Sequence, residues 1–378
     1  MSQYQRYCFI TEVFDSFASL VRRYQLFFYP SDGSIEIFDI KNQRIFLKRI
    51  VNPEVTIKDL YINSDININS RKHKLVEYGD DFTKKVFTEI RSNTYGMIKP
   101  DGYLNIGKII DMIYQGNFTI TKLKLCKMSK EMASEFYGEH KGKSFYDFLI
   151  DYITSDFIVG MELVKRDAIK EWRSFIGPTN VEKAKLEAPN SIRAIFGNGG
   201  KNTVHGSDSA ESVAREINIV FNKIQHQPML TNCACVVIKP HAIKEGNAGK
   251  IIDIILSEGF EISSMEMFYL DKINAEEFFE VYKGVLPEYN GMIEHVTTGP
   301  VIAMEVRQND VVPKIRALVG PHDPDIAKNL RPNTIRALFG RDRVYNAVHC
   351  TDLLEDGVSE VDYFFNQLVK FNKENMKY

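Results

Sequence analysis

The chain has 378 residues, 44% of them hydrophobic and 26% charged, with a formal charge of −2. That length suits two or three domains with cores of their own, and the near-neutral balance gives no global pull toward nucleic acid or an anionic membrane. No run approaches the roughly 18 apolar residues of a membrane span, and the opening MSQYQRYCFI lacks a basic segment followed by an apolar core, so no signal peptide is expected. Five scattered cysteines (Cys8, Cys126, Cys233, Cys235 and Cys350) read as reduced thiols. The expectation is a protein of the cytosol or of a cytosolic structure.

Residues 1–91 look unlike the rest. YCFITEVF, RRYQLFFYP, SIEIFDI and RIFLKRI are short runs rich in aromatic and β-branched residues. Turn signals at Pro30-Ser31-Asp32-Gly33 and Lys41-Asn42 separate them. They predict a small antiparallel barrel or sandwich, with further strand candidates at 55–60 and 66–68. Nothing in this segment points to catalysis. The order strand, Tyr-Pro-Ser-Asp-Gly-Ser, strand, then Phe-Leu-Lys-Arg resembles the DM-ten domain, a pleckstrin-homology-like module of axonemal proteins in cilia. That resemblance implies association with tubulin and other axonemal microtubule proteins. A generic β-module packing on its neighbour is the plainer alternative.

From residue 92 the chain repeats itself. TYGMIKP at Thr94–Pro100 returns as ACVVIKP at Ala234–Pro240, and SIRAIFG at Ser191–Gly197 returns as TIRALFG at Thr334–Gly340. Offsets of 140 to 144 residues separate Lys99 from Lys239, Arg193 from Arg336 and His205 from His349. Each copy has the size of one domain. Within the first, apolar period predicts a strand at 95–98, a helix at 107–115 and a strand at 118–128. Helices follow from Ser129 and over 145–153, then a strand at 158–164. A helix over 168–176 stops at Gly177-Pro178, and a last helix starts at Ser207 or Ser209. This rhythm fits helices covering a mainly antiparallel sheet of split-βαβ type. Residues 223–232, polar and containing Pro228, read as a linker.

The most informative stretch is Asn198–Ser209, NGGKNTVHGSDS, and its second version is RDRVYNAVHCTDL from Arg341 to Leu353. In both, Asn-x-Val-His leads into a Ser or Thr followed by Asp. A histidine between a strand and a helix N-terminus is placed to meet an anion, and imidazole is a competent nucleophile toward phosphorus near neutral pH. A lone loop histidine is more often satisfied by a neighbouring carbonyl. Two copies in matching surroundings argue against that reading.

Ile98-Lys99-Pro100-Asp101-Gly102, Ser191-Ile192-Arg193 and Asn202–Ser209 resemble, in order and separation, three signature segments of nucleoside diphosphate kinases. With the front module, the whole chain resembles the ciliary member of that family. The resemblance implies an α+β chain. A PH-like β-module (1–91) precedes two tandem ferredoxin-like α/β-sandwich kinase domains (92–222 and 233–378). It implies ping-pong transfer of the terminal phosphate of ATP, GTP or another nucleoside triphosphate to a diphosphate through phospho-His205. Mg2+ is then held by the nucleotide phosphates rather than by protein ligands. In that role Lys99 supplies a point charge, and Arg173 and Arg193 supply guanidinium forks for phosphate oxygens. Thr179 donates a hydroxyl and Asn202 reaches ribose or phosphate. Glu216, eleven residues after His205, fixes the imidazole tautomer, and Ser207 sits beside the histidine. Phe145 takes the base-stacking position and Tyr137 the neighbouring one. Without the resemblance, an aromatic on an amphipathic helix reads as core.

The first copy departs from the family pattern at Lys143-Ser144, at Ser155-Asp156-Phe157, and in a loop after Asn180 that is about three residues longer. Hexamer assembly is therefore in doubt, and the tandem copies are candidates for a pseudo-dimer within one chain. The second copy keeps Lys239, Tyr282, Arg316, Arg336, Asn346, His349 and Glu360. However, His241 follows Lys-Pro where an aspartate belongs, and His322 stands at the threonine position. The segment from Tyr282 to Tyr289 is about two residues short, which brings Glu288 or Tyr289 near the stacking site. A weak or inactive second domain is expected. The alternative to an enzyme is a structural protein of axonemal doublet microtubules that uses the kinase folds as scaffold. The expected setting is the cytoplasm and cytoskeleton of the cilium or flagellum, with neither nucleic-acid nor membrane partners.

Overall fold

The computed structural model describes residues 6–371 apart from 16, 17, 19, 58, 63, 70 and 91. They form two compact units: residues up to 90 with 268–301 and 367–371, and residues 92–267 with 302–366.

In the first unit, strands β1 (Tyr7–Asp15), β2 (Leu20–Tyr29), β3 (Ser34–Asp39), β4 (Arg44–Val51), β5 (Asp65–Ile68) and β6 (Arg71–Tyr78) make one sheet of order β4-β3-β2-β1-β6-β5. Every other residue of β2 and β3 turns inward, so Leu26, Phe28, Ile35 and Ile37 are buried with Phe9 and Leu75. Helix α1 (Asp81–Ile90) closes this core. Asp80 starts it by accepting the Thr83 N–H at 2.6 Å, and Phe87 meets the ring of Phe9 edge-on at 5.0 Å. The sequence reading found no helix here, because DFTKKVFTEI mixes aromatic and β-branched residues that are equally at home in a strand. The strand expected at 55–60 is absent among the described residues. The segment turns on Asp59, which accepts from the Thr56 hydroxyl at 2.7 Å, while Val55 and Leu60 still fill the core. Segment 268–301 of the second repeat clusters with this module: the Asn67 amide on β5 donates to the Thr297 carbonyl.

The second unit carries the first repeat and most of the second, apart from segment 268–301. The first runs β7 (Ser92–Ile98), α2 (Ile106–Gln115), β8 (Thr119–Cys126), α3 (Lys130–Phe136), α4 (Tyr146–Ile153) and β9 (Ile158–Lys165). It continues through α5 (Ala168–Ile176), α6 (Val181–Glu187), α7 (Ile192–Phe196), β10 (Val204–Gly206) and α8 (Ala210–Ile217). The elongated loop after Asn180 is helical, as α6, with Asn180 accepting the Lys183 N–H. The second repeat runs β11 (Cys233–Ile238), α9 (Pro240–Lys244), α10 (Ala248–Ser257), β12 (Glu261–Tyr269), α11 (Lys272–Phe278), α12 (Tyr289–Val296) and β13 (Pro300–Arg307). Then come α13 (Val311–Val319), α14 (Pro324–Leu330), α15 (Ile335–Phe339), β14 (Val348–Cys350) and α16 (Asp356–Asp362).

The two repeats share one eight-stranded sheet, β10-β7-β9-β8-β12-β13-β11-β14. The seam is the antiparallel pair β8–β12, at Leu125↔Met265 and Lys124↔Glu266. Beside it α2 packs on α10 at a glycine contact. A Cβ on Gly107 would lie 2.3 Å from Asp253 N, and one on Gly249 2.4 Å from Asp111 N. Only hydrogen fits there, so the backbones touch. The linker is tied down. His226 pairs with Glu266, and the Met229 and Leu230 N–H groups donate to the buried Glu305 carboxylate at 2.9 and 2.7 Å. All five cysteines are free and buried. No helix among the described residues is long and apolar enough to cross a membrane.

Candidate active site

The first repeat brings Lys99 and His205 onto neighbouring strands. β10 lies antiparallel to β7 with His205 opposite Met97, and the pairing ends where Lys99 N–H donates to Thr203 O at 2.7 Å. Pro100 then turns the chain away from the strand, leaving the Lys99 side chain at its end. Thr203 sits at φ +63, a left-handed conformation rare for a β-branched residue. Two contacts hold it: its carbonyl on Lys99 and its hydroxyl on Asp101 Oδ2 at 2.8 Å.

After His205 the chain reaches Ser209, whose hydroxyl accepts the Ser212 N–H at 3.1 Å and so caps α8. Two turns along that helix, the buried Glu216 faces back to the histidine. His205 Nε2 lies 2.9 Å from Glu216 Oε2, and Ser207 Oγ donates to the same oxygen at 2.6 Å. The carboxylate fixes the tautomer with the proton on Nε2, and Nδ1 has no hydrogen-bond partner among the described residues. The imidazole is walled by Phe136 (centroids 5.3 Å) and by Tyr137 (5.9 Å, edge-on), while its backbone carbonyl accepts the Trp172 indole N–H at 3.1 Å.

The cationic groups converge here. Lys99 Nζ donates to Asn202 Oδ1 at 2.8 Å. Burial, then the nearby Arg193 charge, brings the Lys99 pKa down to about 7, opposed by Asp101. Arg193 is also buried. It donates through Nη1 to the Gly177 carbonyl (2.8 Å) and the Thr179 hydroxyl (3.4 Å), and through Nε and Nη2 to the carbonyl before His205. Its pKa falls to about 10 through burial, then Arg173. Asn202 also donates to the Thr179 carbonyl at 3.0 Å. No hydrogen bond or ion pair reaches the Arg173 guanidinium among the described residues. Tyr137 is buried, and its hydroxyl has no partner there either. Phe145 is not core: it is 47% exposed at the start of α4.

Tyr152 was not singled out from sequence. Its hydroxyl donates to Asp101 and its ring lies 5.2 Å from Lys99 Nζ, so it orders the lysine's surroundings. On an amphipathic helix it looks like any core aromatic. Trp172 was missed likewise, although a lone tryptophan next to Arg173 was visible.

The second repeat rebuilds the frame. His349 Nε2 lies 3.1 Å from Glu360 Oε1, and Thr351 Oγ1 donates to Glu360 at 2.6 Å in place of Ser207. Lys239 Nζ bonds Asn346 Oδ1 at 2.7 Å, and burial followed by Arg336 brings its pKa down to about 7. Arg336 holds the Gly320 and Val348 carbonyls as Arg193 holds its own pair. Three features differ. Arg316 is bound to Asp352, through both the carboxylate and the carbonyl, the latter at 2.8 Å. His322 occupies the Thr179 position, and Asn346 keeps the bond to its main-chain carbonyl at 3.2 Å. His241, at the Asp101 position, is buried, and burial followed by Lys239 lowers its pKa to about 4. Tyr282, Glu288 and Tyr289 lie in the segment that clusters with the front module.

Residues 92–226 and 232–369 match the family model described as nucleoside diphosphate kinase, and residues 1–89 match that of the nucleoside diphosphate kinase 7 N-terminal PH domain. Over 373 residues, 97% of this chain and 94% of the relative, the sequence is 46% identical to nucleoside diphosphate kinase homolog 7 of Rattus norvegicus. It is also 46% identical to the probable nucleoside diphosphate kinase 5 of Arabidopsis thaliana, over 131 residues that make up 34% of this chain and 91% of the relative. A crystal structure of the Aquifex aeolicus nucleoside diphosphate kinase covers 36% of this chain and 96% of its own, at 34% identity and a TM-score of 0.35. With two family matches in tandem behind a PH-like front module, the chain belongs to the nucleoside diphosphate kinase family.

Proposed function

We propose that the first repeat is a working nucleoside diphosphate kinase, that the second is weak or inactive, and that the front module attaches the chain to axonemal microtubules in a cilium or flagellum. One observation carries the catalytic part: Glu216 holds Nε2 of His205, which leaves the lone pair of Nδ1 free on a strand whose preceding carbonyl Arg193 clamps and whose neighbouring strand ends in the buried Lys99. In the forward half-reaction Nδ1 attacks the γ-phosphorus of the triphosphate. The N–P bond forms as the bond from phosphorus to the β,γ-bridging oxygen breaks, and the diphosphate leaves. A second diphosphate then takes the phosphoryl group back from Nδ1 by the reverse displacement. Nε2 keeps its proton throughout, and Glu216 balances the positive imidazole. Lys99 and Arg193 compensate the charge on the transferring group, which is most of what phosphoryl transfer asks of a protein.

The residues present suit a magnesium ion carried in by the nucleotide. Asp101 is already engaged by Tyr152 and Thr203, Glu216 by His205 and Ser207, and no described cluster of three carboxylate, histidine or cysteine groups could hold a metal. When bound, that ion would offset phosphate charge.

The test is acid-labile labelling of the full chain with γ-labelled ATP. Label is expected on the parent and absent from His205→Ala, and retained label in the variant would overturn the assignment. The second reading, an axonemal scaffold, is favoured by the pinned Arg316 of the second repeat. It is tested by co-sedimentation of the full chain with microtubules, with and without residues 1–90.

A further inference from the structure

Ser155-Asp156-Phe157 departs from the family pattern and makes none of the contacts described around His205. It lies beside the seam between the repeats. The Phe157 ring stacks against that of Tyr103 (centroids 6.0 Å, interplanar angle 26°). Lys127 pairs with Asp156 at 3.1 Å while its Nζ stands 4.3 Å from the centre of the Phe157 ring. Tyr103 belongs to the turn Pro100–Asn105 that follows Lys99. Its hydroxyl accepts the Ile262 N–H at 2.8 Å and donates to the Ile262 carbonyl at 2.9 Å. One phenol thus satisfies both main-chain groups of a fully buried residue in β12. The β8–β12 pairing lies at Met265 and Glu266, so the tyrosine extends the join between the repeats beyond the strand pairing. Burial pushes the phenol pKa up to about 12, and the hydroxyl keeps its proton for the carbonyl.

The same short turn is fixed to the phosphate site. The Gly102 N–H donates to the Lys99 carbonyl at 2.9 Å, and Asp101 accepts the hydroxyl of Thr203, which leads into the histidine strand. A Cβ on Gly102 would lie 2.8 Å from the Thr203 methyl. Packing this close leaves the turn no slack, so a displacement at Tyr103 is passed on to Lys99. In the second repeat Ile243 stands four residues after Lys239, as Tyr103 stands four after Lys99, and it has no hydroxyl. The tie therefore runs one way, from the body of the second repeat to the site of the first.

We propose that Tyr103 is a positioning residue: through its hydroxyl, strand β12 of the second repeat holds the Lys99 turn where phosphoryl transfer in the first repeat needs it, so the first site is complete only with the second repeat beside it. This rests on the kinase reading of the first repeat and deepens it, since it gives the second repeat a part in that reaction without turnover of its own.

The experiment follows acid-labile labelling by γ-labelled ATP in a single turnover at saturating nucleotide, for full chains of the parent, Tyr103→Phe and Phe157→Leu. The first-order rate constant belongs to folded molecules alone and the amplitude counts them, so lost stability and lost positioning are read separately. Tyr103→Phe keeps the ring and removes the oxygen; its rate constant should fall about tenfold, less than a misplacement of about 1 Å can cost. Phe157→Leu leaves both hydrogen bonds and removes only the stacked ring, and should give a smaller fall. ADP binding at pH 8 reads Lys99 itself. The buried lysine of the parent, with a pKa of about 7, takes up a proton when a polyphosphate binds. A loosened turn lets water reach the amine and charges it beforehand, so the uptake in Tyr103→Phe should drop by about half or more. Parent rate constants in both variants overturn the proposal, whatever their amplitudes. So does a slower Tyr103→Phe that keeps the parent's proton uptake, because its hydroxyl would then act elsewhere than on Lys99. Should Tyr103→Phe give no amplitude, Phe157→Leu decides alone by the same two readings. A parent that forms no His205 phosphoenzyme overturns the functional reading instead, and this inference with it.

Discussion

The two repeats hold the same frame around different interiors, and the difference sorts framework from chemistry. Both place a non-glycine residue at positive φ two positions before the histidine, Thr203 at +63 and Ala347 at +69. Both clamp a buried arginine on two main-chain carbonyls and pair the histidine with a helix glutamate. The packing beneath has been exchanged in concert. In the first repeat Trp172 presses so closely on Gly96 and Gly206 that a Cβ on either would lie within 2.9 Å of its ring. In the second, Ile315 takes the tryptophan position and Val236 and Cys350 take the glycine positions, so volume moves from one side chain to two. Ile315 offers no side-chain N–H, so the hydrogen bond that the Trp172 indole gives the His205 carbonyl has no counterpart from that side chain.

Charge diverges further. Asp208 is held by the Ser212 hydroxyl at 2.9 Å, whereas Asp352, facing Asp356 at that position, captures Arg316. The histidines differ in access as well, with the His205 side chain 18% exposed and that of His349 5%. The second repeat thus keeps the hydrogen-bonded frame while its interior is more closed and its Arg316 is paired, which is the basis for proposing it as the weaker of the two.

The sharpest way to break this comparison is at the histidines. His205→Ala should lower steady-state exchange about a thousandfold or more, while His349→Ala removes only the minor part of the acid-labile label; equal losses would make the repeats equivalent. Glu216→Gln keeps the hydrogen bond but not the charge, and kcat should fall about a hundredfold, with a far smaller effect from Glu360→Gln in the same exchange assay.

Gly249→Ala sets a methyl against the Asp111 backbone and should destabilise the shared unit by about 2 kcal/mol, read as a lower urea midpoint. Unfolding of one repeat without the other would show that the seam does not couple them. Lys99 gives a pH test. Its pKa of about 7 lies below that of an ordinary lysine, so burial penalises the charged form: apo stability rises as pH climbs from about 7 toward the unfolded value and is lost as pH falls through 7. A bound polyphosphate restores the charge. ADP binding at pH 8 should then take up a proton, measured by calorimetry in buffers of different ionisation enthalpy, and should weaken as pH rises further. The smallest effect is Asp352→Ser. An exposed pair is worth at most about 1 kcal/mol, so freeing Arg316 should tighten nucleotide binding to a His205→Ala chain by no more than about fivefold, as read in the same calorimeter.

Much of this was legible in the amino-acid order. Apolar periods located most strands and helices of the first repeat, though not α6 or α7; Gly177 marked one helix end, Ser207 or Ser209 the start of the last helix, and the duplicated Asn-x-Val-His placed both histidines. Those signals are local, carried by side-chain alternation, by caps and by residues that only a turn accepts. The sequence did not show helix α1, whose aromatic and β-branched residues suit either structure, or the loop at 55–60. It also left Tyr152 and Tyr103 indistinguishable from core aromatics. Composition and local order by themselves determined the repeat, its elements and the residue types at the phosphate site. Tertiary structure decided the continuous sheet across β8 and β12, the glycine contact of α2 with α10, and which arginine is bound and which is not. Each of these depends on atoms more than a hundred residues apart, or on one hydroxyl exchanged for a carboxylate, and neither leaves a periodic trace in the chain.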